Sequence, residues 1–82
     1  MNRLDFEIIK NVIKDNSRVL DVGCENGELL KFLNKGKKID GRGLEISQKN
    51  VNICVKYGLS VVQGDADKDL VSYPSKSFDF VI

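Results

Sequence analysis

Apolar positions along the chain alternate between helical stripes and short continuous runs. Leu4, Ile8, Ile9, Val12 and Ile13 recur at helical spacing, with Phe6 just off the stripe, and Asp5, Glu7, Lys10, Asn11 and Lys14 fill the remaining positions. The spacing predicts an amphipathic helix of about three turns, ending near Asp15 and Asn16 and packed on one face of a sheet. Val19, Leu20 and Val22 follow in a run too short for a helix. It suits a strand, Arg18 to Val22, buried on both faces. Gly23 and Gly27 bracket a tight turn, and Glu28, Leu29, Leu30, Phe32 and Leu33 open a second helix that runs to about Lys35, with Gly36 as its C-cap.

The same alternation repeats downstream. Gly41 to Leu44 reads as a second strand with Glu45 at its carboxyl end, and Ser47 as the N-cap of a helix from Gln48 to Tyr57. Val51, Cys54 and Val55 form that helix's core stripe, and Gly58 ends it. Leu59 to Gln63 is a third strand, Gly64 to Asp67 a polar turn, and Lys68 to Ser77 a loop holding Pro74. Phe78 to Ile82 begins a fourth strand, with Phe78, Phe80 and Ile82 on one face. Short strands alternating with helices predict an α/β fold, a Rossmann-like doubly wound parallel sheet with right-handed crossovers. Residues 1–17 supply the leading helix and residues 18–82 a β-α-β-α-β-β cofactor-binding part. A chain ending inside an apolar strand leaves unpaired backbone. Residues 1–82 are therefore expected to be the N-terminal half of a domain, truncated after the fourth strand and inactive by itself.

Composition narrows the chemistry. Thirteen basic side chains against 12 acidic ones give a net charge of +1, which points to neither nucleic acid nor an acidic membrane. No apolar run approaches the ~18 residues of a membrane span. With no histidine and two cysteines far apart in sequence, Cys24 and Cys54, neither zinc ligation nor histidine catalysis is available. A reducing, cytoplasmic setting is the simplest expectation. Lys35, Lys37 and Lys38 suit the negative end of the second helix better than a phosphate patch.

Candidate chemistry gathers at the strand ends. Asp21, Glu45 and Asp65 fall at the carboxyl ends of consecutive parallel strands, which line one crevice. Glu45 lies 22 residues beyond Gly23, the offset of a carboxylate that accepts hydrogen bonds from ribose hydroxyls. Asp65 can accept from an adenine amine, with the Ala66 amide nearby, or can serve only as a turn-former. Asp21 either contacts ligand or anchors the glycine turn by accepting backbone amides. Cys24 and Cys54 read as small buried residues rather than nucleophiles. The turn Gly23-Cys24-Glu25-Asn26-Gly27 lacks the G-x-G-x-x-G of dinucleotide folds, and no G-x-x-x-x-G-K-[ST] loop is present. A hydride-transferring enzyme is thereby disfavoured. Glu25 puts a negative charge in the turn, so a zwitterionic or cationic ligand suits it better than a diphosphate.

Val19-Leu-Asp-Val-Gly-Cys-Glu-Asn-Gly27 resembles motif I of class I S-adenosylmethionine-dependent methyltransferases, and Phe78-Asp-Phe-Val-Ile82 is similar to their fourth strand. Gly41 to Gln48, Gly58 to Asp67 and Tyr73 to Asp79 resemble, more closely, the MetW group of methionine-biosynthesis proteins. The resemblance implies S-adenosylmethionine as cofactor, bound by Asp21, Gly23, Cys24, Gly27, Glu45, Ile46, Asp65 and Ala66. It also implies a homoserine O-acyltransferase as partner, and names neither a catalytic residue nor a methyl acceptor. Glu25 stands where that family has the middle glycine of motif I, a position that often takes a conformation costly for other residues. Two functions are therefore expected to compete: a methyltransferase, and a non-catalytic regulatory or scaffold protein with weakened cofactor affinity.

Overall fold

In a computed structural model, which describes residues 3–73 and 77–82 and only the backbone of Arg3 and Ser72, the chain is organised around the strand predicted first. That strand, β1 (Arg18–Val22), lies between β2 (Asp40–Glu45) and β4 (Phe80–Val81), and β3 (Ser60–Gln63) pairs on the far side of β2. All pairings are parallel, giving the order β3-β2-β1-β4. The expected parallel α/β sheet is present.

Three helices connect and cover it: α1 (Arg3–Val12), α2 (Glu28–Gly36) and α3 (Gln48–Lys56). Register places Val19 opposite Gly41 and Gly43 opposite Val61, so these four share one face. Ile13, Leu29 and Leu33 pack with Val19, while Leu30, Val51, Cys54 and Cys24 pack with Val61. Each fully buried Leu, Ile or Val contributes roughly 1.5–3 kcal/mol. Gly43 is small for a reason: a Cβ there would stand 2.7 Å from Cys24 Sγ and 2.8 Å from Val61 Cγ2.

Several boundaries and faces differ from expectation. Helix α1 ends at Val12, and only part of its predicted stripe, Ile9 and the following Ile13, is packed. Leu4, Ile8 and Val12 are 68%, 55% and 60% exposed, whereas Phe6 and Ile9 join the core. Phe6 sets this rotation by packing on Phe32 of α2, ring centroids 5.6 Å apart. Gly36 belongs to the last turn of α2, and Lys37 takes the cap position, donating its backbone N–H to the Leu33 carbonyl. The Lys37 ammonium reaches the Ile13 carbonyl at 2.6 Å, a structural use for part of the lysine cluster. Val55 is exposed, since only Val51 and Cys54 of its stripe face the sheet. A short helix, α4 (Ala66–Asp69), straddles the expected polar turn and loop, and a 3-10 turn at Leu70–Ser72 follows within the loop; Pro74 lies outside the described residues. Phe78 precedes β4 and meets Tyr73 edge to face, while Phe80 and Ile82 pack on the Val19 cluster. No helix among the described residues is long and apolar enough to cross a membrane.

Candidate functional site

The glycine turn after β1 is tied to the end of β2 amide by amide. Gly23 and Cys24 both donate their N–H groups to the Leu44 carbonyl, at 2.7 and 3.3 Å. The next amide, of Glu25, donates to Glu45 Oε1 at 2.9 Å. Glu45 Oε2 accepts from the Ser47 backbone N–H at 3.0 Å and from Asn50 Nδ2 at 3.2 Å. Ser47 in turn caps α3, its hydroxyl accepting from the Asn50 N–H at 3.3 Å. One carboxylate thus fastens the β1 turn, the β2 end and the α3 start together.

Backbone conformation explains the sequence of the turn. Gly23, Glu25 and Gly27 have φ of 69°, 52° and 83°, all in the left-handed region. Glycine adopts it freely, whereas for Glu25 it costs roughly 1–2 kcal/mol. The expectation that position 25 is conformationally costly is met. Gly27 has a second constraint: it is the N-cap of α2, and a Cβ there would strike Leu59 and the Cys54 thiol. Its role is to let α2 and α3 approach.

Two clefts flank the turn. One, of about 240 Å³, is lined by Asp21, Cys24, Glu25 and Glu28 with Phe6 and Leu29; the other, of about 430 Å³, by Gly23, Glu25, Asn26, Glu45 and Asn50. A roomier apolar hollow of about 580 Å³, lined by Arg18, Arg42, Val62, Tyr73 and Phe78 among others, holds no carboxylate and lies away from the turn. The structure therefore brings together Asp21, Gly23, Cys24 and Glu45 of the predicted set. Ile46, Asp65 and Ala66 sit further along the same sheet edge, linked through the Gly64 N–H, which donates to the Glu45 carbonyl at 3.0 Å, and Gln63 Nε2, which donates to that of Ile46 at 3.1 Å. Asp65 caps α4 by accepting from the Asp67 N–H at 2.9 Å. Ser47 and Asn50 were missed as supports of the site; the Ser47 cap with an amide side chain three residues on was the available signal.

Electrostatics separates the two central acids. Asp21 is 6% exposed, and among the described residues no donor hydrogen-bonds its carboxylate. Burial first, then the charges of Glu25 and Glu45, push it up to about 6. Glu45 is 5% exposed, but the hydrogen bonds from Ser47, Asn50 and Glu25 outweigh its burial and hold its carboxyl below the ordinary value. Glu45, not Asp21, is the acid that anchors the turn. Burial likewise pushes the Cys24 thiol up to about 12 and raises that of Cys54, whose Sγ donates to the Glu25 carbonyl at 3.3 Å. Neither is a nucleophile at neutral pH. No group of three or more Cys, Asp or Glu among the described residues is placed to hold a metal ion.

Residues 3–82 match the family described as methionine biosynthesis protein MetW. The chain is 31% identical over 87 residues to the bifunctional methionine biosynthesis protein MetXA/MetW of Rhodopirellula baltica, covering 96% of this chain and 14% of that protein. Its fold superposes on a TehB-like SAM-dependent methyltransferase from Corynebacterium glutamicum with a TM-score of 0.80 and 22% identity, over 94% of this chain and 41% of that one. A SAM-dependent methyltransferase from Thiobacillus denitrificans, solved in complex with S-adenosyl-L-homocysteine, gives 0.77 and 19% identity over 99% and 36%. The chain thus spans well under half the length of each of these proteins. By the family match across nearly all its residues, and on the α/β fold that SAM-dependent methyltransferases share, this chain belongs to the MetW family of methionine-biosynthesis proteins.

Proposed function

We propose that the chain forms the S-adenosylmethionine-binding part of a MetW-family protein acting in methionine biosynthesis. The observation that carries this reading is the commitment of the turn's first three amides to Leu44 and Glu45 beside a buried carboxylate, Asp21, with no hydrogen-bond partner among the described residues. A diphosphate needs free amides and a helix N-terminus clear of acids; this turn offers carboxylates instead. An adenosine ligand bearing an ammonium and a sulfonium fits that donor set. When bound, S-adenosylmethionine supplies an electrophilic methyl group. The chain's part is to hold and orient it: Asp21 faces the cationic end, Gly23 allows close backbone approach, and Glu45, with lone-pair capacity left after three hydrogen bonds, receives the ribose. Asp65, Ala66 and Ile46 serve the adenine side. Complexes of the fold neighbour with S-adenosyl-L-homocysteine support the reading. Calorimetric titration of the full-length protein with S-adenosylmethionine tests it; saturable binding is expected, and no heat of binding at millimolar ligand would refute it.

A regulatory role alongside a homoserine O-acyltransferase is the second reading. It is favoured by the relative whose name joins MetXA and MetW in one protein and by the strained, charged Glu25 in the turn. Co-purification of the full-length protein with the acyltransferase, together with cofactor binding but no methyl transfer, would favour it over a methyltransferase.

A further inference from the structure

The clefts on either side of the glycine turn carry charge of one sign. Asp21, Glu25 and Glu28 line the smaller, Glu25 and Glu45 the other, and no lysine or arginine lines either among the described residues. Glu25 borders both. The Asp21 carboxylate, 6% exposed, supplies an independent observation: it lines the smaller cleft without a hydrogen-bond partner among the described residues. The first three backbone amides of the turn are already committed, those of Gly23 and Cys24 to the Leu44 carbonyl and that of Glu25 to the Glu45 carboxylate. The left-handed backbone at Glu25 holds its side chain at the turn despite the conformational cost.

Resting on the S-adenosylmethionine reading above, we propose that Glu25, with Asp21 behind it, selects the sulfonium form of the ligand over the neutral thioether that remains after methyl loss. The two ligands differ by one methyl group and one positive charge. Repulsion between Glu25 and the ligand's own carboxylate acts equally on both and cancels in their ratio; attraction to the sulfonium does not cancel. At a dielectric near that of water, one carboxylate about 4–6 Å from the sulfonium changes the relative affinity roughly three- to sixfold, and by more where water is excluded.

Isothermal titration of the full-length protein with S-adenosylmethionine and S-adenosylhomocysteine measures this ratio directly. The wild-type protein is expected to bind the sulfonium more tightly, and Glu25→Gln to reduce that preference by roughly threefold or more. Glu25→Asn, whose short side chain accepts the left-handed region, gives the same measurement should the glutamine variant fail to fold. Both ligands bound with an unchanged ratio in the neutral variants would overturn charge selection and leave the binding-site reading standing. Failure of the wild-type protein to bind either ligand would overturn the reading itself.

Discussion

The backbone N–H of Glu25 donates to Glu45 Oε1 at 2.9 Å, joining two segments 20 residues apart in sequence. With the Ser47 and Asn50 bonds to the other carboxylate oxygen, it makes Glu45 the structural keystone of the cleft. Hydrogen bonds to a charged group contribute about 1.5–3 kcal/mol each, and a donor left unpaired in a buried setting costs more than the bond alone. Glu45→Gln keeps the shape but turns an amide NH2 toward N–H donors. We expect it to lower stability by about 2–3 kcal/mol in chemical denaturation, and Glu45→Ala by more. A change within 0.5 kcal/mol would show that the carboxylate does not hold the turn.

Stability should fall as pH rises from about 4 to about 6. Asp21, facing Glu25 and Glu45, is pushed up from an ordinary 3.8 to about 6, so within that window the folded chain keeps a proton that the unfolded chain has released. Above it, folding carries a buried charge that has no hydrogen-bond partner among the described residues. Asp21→Asn is therefore expected to raise stability at pH 7 by on the order of 1–2 kcal/mol and to flatten the profile between pH 4 and 6. Glu45 acts in the opposite sense: its contribution is present at neutral pH and is lost on acidification, as protonation removes the acceptor of three hydrogen bonds. Denaturation midpoints measured across pH in the wild-type protein and the Asp21→Asn variant separate the two.

The two outer glycines of the turn should respond differently to alanine. At Gly23 a Cβ meets nothing within 4 Å, and only the left-handed backbone, φ 69°, opposes it. At Gly27 the backbone, φ 83°, and the Leu59 and Cys54 side chains all oppose it. Gly23→Ala is expected to cost roughly 1–2 kcal/mol, Gly27→Ala about 1–3 kcal/mol more. Equal losses in thermal denaturation would contradict the close approach of α2 and α3 at Gly27.

How much of this was legible in the sequence depends on the range of the interaction. Local signals held: the apolar run of β1, the glycines of the turn, the Ser47 cap and the position of Glu45 all follow from nearest-neighbour chemistry. Placement of the carboxylates along one sheet edge followed too, because parallel strands fix it. The face of α1 followed only in part. The predicted stripe joins Leu4, Ile8 and Val12 to Ile9 and Ile13; only the last two are packed, and Phe6, just off the stripe, packs with them because Phe32 and Leu33 on α2 lie on that side. Phe6→Ala is expected to cost about 2–4 kcal/mol and Ile8→Gln less than about 0.5 kcal/mol, checked by denaturation. The division of labour between Asp21 and Glu45 was equally out of reach, since it depends on where the Glu25 amide points in three dimensions.

The central claim is that the β1 turn and the Glu45 end of β2 form one S-adenosylmethionine site. Its most direct test is titration of S-adenosylmethionine into the isotope-labelled full-length protein, followed residue by residue through backbone amide resonances. The account predicts saturable shifts at Gly23, Glu25, Asn26 and Asn50, with Arg18 and Arg42 unmoved. Shifts confined to the hollow near Arg18, Arg42 and Phe78, or none at millimolar ligand, would contradict it.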